Sequence, residues 1–174
     1  MNPFEIEEAL DGMVVLVDTR EKPTKAAERR YSQFGCKYER IALNFADYSA
    51  KFPLPDGSWF SLADKVCIER KQSLDELCNC YCQSRQRFIN EFTRAAEAGA
   101  KIYLLVENTS WEQVYTGKYR SKMRQTALVA SILAWSARYN CSPIFCKAET
   151  SGKLIKDILY REGKERMERG DADG

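Results

Sequence analysis

Histidine is absent from all 174 residues, and that gap removes several kinds of chemistry. Ser-His-Asp and Cys-His catalysis need an imidazole base, and most zinc enzymes need imidazole ligands. Acid–base or metal chemistry must therefore rest on Asp, Glu, Lys, Tyr or Cys. Net charge is nearly absent too, since 27 basic side chains against 25 acidic ones leave +2. Diffuse attraction to a polyanion is excluded, so any grip on nucleic acid has to come from local clusters of charge. No apolar run approaches the ~20 residues that cross a bilayer. The opening MNPFEIEEALDG is acidic and lacks the basic-then-apolar plan of a signal peptide.

Cysteine is present seven times, an odd number at irregular spacing. That pattern points to reduced thiols and a cytoplasmic location. Cys78, Cys80 and Cys82 follow C-x-C-x-C spacing with no second knuckle. Structural zinc sites show paired knuckles, so small buried side chains are favoured over a metal role.

With 44% apolar and 30% charged residues, the chain is composed like one soluble globular domain with a sizeable core. Met13 to Val17 (MVVLV) reads as a buried strand that ends in Asp18-Thr19-Arg20-Glu21-Lys22-Pro23. Thr24 can cap a helix over Lys25 to Phe34, stopped by Gly35. Lys37 to Leu43 and Lys65 to Arg70 read as further strands, with a short strand near Asn44 to Tyr48 and a turn at Phe52 to Gly57. Ser73 with Glu76 makes a capping-box start, and Phe88, Phe92 and Ala95 set a helical period over Arg85 to Ala98. Lys101 to Val106 and Pro143 to Cys146 complete the strands. Gln125 to Tyr139, apolar nearly all round, predicts a deeply packed helix, and Ser151 to Met167 a charged one. The order predicts an α/β sandwich with a mixed sheet. Residues 1–12 are expected as an N-terminal extension, 13–160 as the folded domain and 161–174 as a charged tail.

The chemistry lies in Ile68-Glu69-Arg70-Lys71 at a strand end. Side chains alternate along a strand, so Glu69 and Lys71 project to one side. A carboxylate there can hold a hard cation through oxygen, and an ammonium can orient water or neutralise a phosphate. A second carboxylate is needed, and Asp47, upstream in Phe45-Ala46-Asp47-Tyr48, supplies it. Asp47, Glu69 and Lys71 resemble the PD-(D/E)XK nuclease pattern.

More of the chain matches than those three residues. VDTREKP at 17–23, ADY at 46–48, IERKQSLDEL at 68–77 and SRQRFINEF at 84–92 occur in this order. Together they resemble the nuclease domain of the XPF family of structure-specific endonucleases, which carries V-D-x-R-E, G-D-Y/F, E-R-K-x-x-x-D and an Arg-rich helix. The resemblance spans about residues 13 to 147. It implies a restriction-endonuclease-like fold: a single α/β domain whose central mixed sheet has helices on both faces. It implies a DNA endonuclease dependent on Mg²⁺, with Mn²⁺ as substitute, that acts at branched, flap or fork DNA in repair or recombination.

Carried over residue by residue, Asp47 and Glu69 would bind metal and Lys71 would support the chemistry. Asp18 would be a further or water-mediated ligand, and Arg70 belongs to the same catalytic motif. Arg20 and Glu21 would lie at the site's edge, Arg20 towards DNA, and Asp75 would support the cluster. Arg85 or Arg87 would face DNA. Lys118, Arg120, Lys122 and Arg124 form a run that is either a solvated face or a phosphate grip. Ala46 stands where the family usually has Gly, and the helix-hairpin-helix and helicase domains that members often carry are not in this sequence. Family partners would be DNA and a second copy or another chain. The alternative functions are a non-catalytic DNA-binding partner on the same fold and a protein-interaction scaffold.

Overall fold

The computed structural model describes residues 1–172. Its sheet is mixed and seven-stranded, in the order β2-β1-β3-β5-β6-β7 with β4 paired to β3. The strands are β1 (Val14–Asp18), β2 (Lys37–Ile41), β3 (Tyr48–Pro53), β4 (Trp59–Ser61), β5 (Val66–Lys71), β6 (Lys101–Glu107) and β7 (Cys141–Cys146). β1 runs parallel to β2, and β5, β6 and β7 run parallel to one another. β3 is antiparallel to both β1 and β5 and so joins the two parallel groups.

The continuous apolar run of β1 is buried along its whole length, as a central strand covered on both faces requires. On one face the core gathers Val15, Val17, Tyr48, Ala50, Phe52 and Ile68 under α1 (Pro3–Asp11), α2 (Lys25–Ser32) and α7 (Ala148–Glu168). On the other it gathers Cys67, Ile102, Leu104 and Val106 under α3 (Leu74–Cys82), α4 (Arg85–Glu97), α5 (Trp111–Thr116) and α6 (Gln125–Arg138). This is the single α/β domain with helices on both faces that the motifs imply. Among the described residues no helix is long and apolar enough to cross a membrane.

Several elements differ from expectation. Residues 1–12, set apart as an extension, form α1, capped by Asn2 and Glu5, and bury Ile6, Ala9 and Leu10 in the core. Three buried positions at helical spacing are too few to stand out in an acidic segment. α7 continues through 161–168, within the expected tail, and buries Gly163 and Met167. Residues 173–174 lie outside the described residues. α6 is not deeply packed all round: Leu128, Ile132 and Trp135 are buried, but Leu133 is 50% exposed and Ala127, Ala130 and Ala137 are exposed. Alanine favours a helix without needing burial, so an apolar helix surface overstated the depth of packing. Ser73 caps α3 by accepting from the Glu76 amide, while Glu76 accepts from the Gln72 amide instead of closing the box on Ser73.

α7 lies against the sheet through glycine. A Cβ on Gly163 would sit 2.3 Å from the ring of Phe52, which is fully buried on β3. Replacing a helical glycine by alanine normally gains about 1 kcal/mol, whereas overpacking costs about 1–3 kcal/mol. Gly163→Ala should therefore lower the free energy of unfolding in urea, and Phe52→Leu in the same chain should recover part of the loss. A more stable Gly163→Ala would show that α7 and β3 do not meet this closely.

Candidate active site

Asp18 ends β1, Asp47 immediately precedes β3, and Glu69 and Lys71 close β5, so antiparallel β3 brings all four to one end of the sheet. The main chain does the joining. The Asp47 carbonyl accepts from the Asp18 amide at 2.8 Å and its amide donates to the Ile68 carbonyl at 3.0 Å. Its side chain accepts from the Arg70 amide at 2.8 Å. Glu69 and Lys71 do share a face, and Lys71 Nζ donates to Glu69 Oε1 at 2.5 Å. The Lys71 ammonium also lies 5.5 Å over the Phe88 ring.

Glu69 and Lys71 border a cleft of about 190 Å³ that Asn79, Arg87, Phe88 and Glu91 also line. Glu69 is only 4% exposed and Asp47 half-buried. Burial, and then the neighbouring Asp47 charge, push the Glu69 carboxyl well above its ordinary range, with Lys71 opposing. Burial likewise pushes Asp47 up to about 6, with Glu21 and Glu91 adding to the rise and Lys71 and the Arg70 amide working against it. Lys71 is raised although burial pulls the other way, because Glu69 and Asp47 favour its charged form. Burial is thus the first reason both carboxyls bind protons more tightly than usual, and one ammonium facing several carboxylates does not offset it.

The remaining expected residues divide. Asp18 is 1% exposed and both its oxygens are taken: Oδ1 by the Arg20 amide and Nε at 2.7 Å, Oδ2 by Arg20 Nη2 at 3.2 Å and the Leu43 amide at 2.8 Å. Burial would raise its carboxyl, but these bonds hold it below the usual carboxylate range. Asp18 clamps the 43–47 loop through the Leu43 amide. Arg20 reaches over that loop to the Leu43 and Ala46 carbonyls, both at 3.4 Å.

Arg70 is turned off the face of Glu69 and Lys71 by strand alternation. Its guanidinium pairs with Glu107 at 2.9 Å and lies 3.7 Å from Glu21. Arg30 completes that group, at 2.7 Å from Glu21 and 3.0 Å from the Tyr48 hydroxyl. Glu21 Oε2 is buried and has no hydrogen-bond partner among the described residues. Arg85 bends over the Trp135 ring at 5.6 Å, whereas Arg87 lines the cleft, and both are exposed. Lys118, Arg120, Lys122 and Arg124 are exposed. Asp75 holds their loop, its Oδ1 accepting from the Arg120 and Ser121 amides, each at 2.8 Å. Cys78 and Cys80 are buried and Cys82 is exposed, and all seven thiols are free.

Glu91 was not singled out by motif. It lines the cleft and accepts from the Ala46 amide at 2.8 Å. Its position one helical turn beyond Arg87, beside buried Phe88, is the signal that could have placed it.

A family model described as the ERCC4 domain matches residues 17–158. A search of curated proteins finds no match. Among solved structures, XPF from Aeropyrum pernix is 20% identical, with a TM-score of 0.61 over 86% of this chain and 61% of that one. The same protein in complex with DNA is 21% identical, with a TM-score of 0.60 over 87% of this chain and 65% of that one. This chain therefore spans less than two thirds of those chains, and at such identity they show the fold. The family match over most of the sequence places this chain in the ERCC4-domain family.

Proposed function

We propose that this protein is a divalent-metal-dependent endonuclease that hydrolyses DNA phosphodiester bonds. The observation that carries the reading is the meeting of Asp47 and Glu69 at one strand end, with Lys71 bonded to Glu69 beside an open cleft. Branched, flap or fork DNA is the proposed substrate, as the family resemblance suggests. The solved relative with bound DNA supports DNA as partner.

The donor chemistry fits Mg²⁺ or Mn²⁺. Asp47 and Glu69 offer oxygen only, and their charge exceeds what Lys71 offsets. Among the described residues no three Asp, Glu or Cys side chains are grouped to hold a metal ion. Two carboxylates with water filling the remaining positions is an arrangement Mg²⁺ accepts. A bound cation would supply Lewis acidity towards a phosphoryl oxygen and a more acidic water. Lys71 would then neutralise charge at the scissile phosphate from a fixed place, because Glu69 and Phe88 restrict its swing. Arg87 is placed to hold a neighbouring phosphate, and Arg20 and Asp18 to keep the 43–47 loop closed under Asp47.

Asp47→Asn and Glu69→Gln should each abolish cutting of a labelled flap duplex while binding survives in a gel-shift assay. Lys71→Ala should slow cutting by about 10²-fold or more. Wild-type rates in Glu69→Gln would mean that the site is misplaced.

The raised Asp47 carboxyl has a consequence for stability. Its folded pKa of about 6 exceeds the ordinary 3.8, so the folded state binds the proton more tightly than the unfolded chain. Its contribution is present at low pH and is lost as pH rises from about 4 to about 6. In metal-free protein at neutral pH, Asp47→Asn should therefore raise the melting temperature. Mg²⁺ should raise it in the wild type and not in the variant. Equal Mg²⁺ stabilisation of both would remove Asp47 from the metal site.

The exposed run should govern affinity and not rate. Replacing Lys118, Arg120, Lys122 and Arg124 by Ala should weaken binding to all sequences alike. It should also flatten the plot of log affinity against log salt by about 0.9 per lost duplex phosphate contact. An unchanged slope returns the run to a solvated surface.

A further inference from the structure

Ala46 has a φ of +61°, the left-handed region in which a Cβ crowds the following carbonyl. Glycine takes this conformation freely, and glycine is what the family motif usually has here. Ala46 is also 1% exposed and immediately precedes Asp47. Something must keep the backbone in this shape.

Two side chains hold its two polar groups. Glu91 Oε1 accepts from the Ala46 amide at 2.8 Å, and Arg20 Nη2 reaches the Ala46 carbonyl at 3.4 Å. Arg20 belongs to the same half of the sheet as the loop and is anchored on Asp18. Glu91 comes from α4, on the opposite side of the cleft, and ties the loop to the helical layer that carries Arg87. A third carboxylate beside Asp47 and Glu69 is electrostatically unfavourable, and its charge bears on both. The bond from the strained Ala46 amide accounts for its place.

We propose that Glu91 is a positioning residue that holds Ala46 in the left-handed conformation and thereby aims Asp47. The inference rests on the reading of Asp47 as a metal ligand. In this chain Glu91 supplies by a hydrogen bond what a glycine would supply by conformational freedom.

Exchange rates at the Ala46 amide, Mn²⁺ affinity by electron paramagnetic resonance and cutting of a flap duplex test it together. Glu91→Ala should expose the Ala46 amide to exchange and weaken Mn²⁺ binding and cutting by about tenfold. That factor is equivalent to about 1.4 kcal/mol, within the left-handed penalty of an L residue. Glu91→Gln keeps an oxygen acceptor and should keep both the amide protection and most of the affinity. Ala46→Gly placed in Glu91→Ala should restore Mn²⁺ affinity and cutting, because the backbone no longer needs the bond. A double variant as weak as Glu91→Ala, or a Glu91→Gln as weak with its Ala46 amide still protected, would show that the Glu91 charge is what matters and overturn the proposal. Asp47→Asn in parallel separates the two readings. If it keeps Mn²⁺ affinity and cutting, the metal reading of the site falls, and the Ala46 exchange rates still decide the Glu91 bond.

Discussion

Asp47 is stitched to a strand on each side: its carbonyl takes the Asp18 amide and its amide gives to the Ile68 carbonyl. Next to it Tyr48 pairs with Ile68, the register contact recorded between β3 and β5. Beyond that point β3 is drawn towards β4, with the Leu62 amide bonded to the Ala50 carbonyl. The parallel pair β1–β2 and the parallel trio β5–β6–β7 are therefore joined through a short seam with Asp47 at its end. The separation of Asp47 from Glu69 follows from this seam and from the pleat of β5, so main-chain bonds set it. A site fixed by backbone in this way is held more tightly than one carried on a free loop.

The pleat of β5 also sorts charge. Glu69 and Lys71 face the cleft with Glu91, and Asp47 lies beside them, while Arg70 points the other way into Arg30, Glu21 and Glu107. On that second side two guanidiniums meet two carboxylates, and the Tyr48 hydroxyl accepts a hydrogen bond from Arg30. Burying such groups is tolerable when they are mutually paired, though it is weak evidence for stability. On the cleft side the carboxylates outnumber the cation. The fold concentrates its electrostatic strain where the proposed chemistry lies and balances charge behind it, the usual location for strain kept for function.

Much of this was legible in the sequence. The β1 run, the Thr24 and Ser73 caps, and the E-x-K alternation are local patterns with short-range causes, and the structure shows each. The four ordered motifs carried the topology that periodicity alone left open. What the sequence concealed depends on long-range partners. Nothing in VDTREKP announces that Leu43 and Arg20 bond to the Asp18 oxygens. Arg70 looked catalytic by adjacency, yet the alternation that pairs Glu69 with Lys71 necessarily turns Arg70 away. Glu91 escaped because its partner is a backbone amide on the other side of the cleft; helical spacing from Arg87 could place it at the cleft but not name that partner. The exposed face of α6 shows the converse, an apolar pattern read as depth when alanine supplied helix propensity.

The basic loop presents a final constraint. Lys118, Arg120, Lys122 and Arg124 repel one another, and an untethered segment of that composition would splay into solvent. Asp75 gathers it with two amide bonds and an ion pair of 3.4 Å to Arg120. Asp75 lies in the first turn of α3, the helix that follows β5 directly, so the loop's place is referenced to the same strand end as Glu69 and Lys71. Exposed charges act over about 8 Å at physiological salt, which lets these cations favour a phosphate backbone without cancelling the negative site itself. On the proposed reading that site repels the scissile phosphate until a divalent cation offsets it. Metal and DNA then favour each other's binding, and by linkage the coupling is equal in both directions. Residual anionic charge at Asp47 and Glu69 thus helps to make DNA engagement conditional on the cation, while the loop held by Asp75 supplies attraction that does not depend on it.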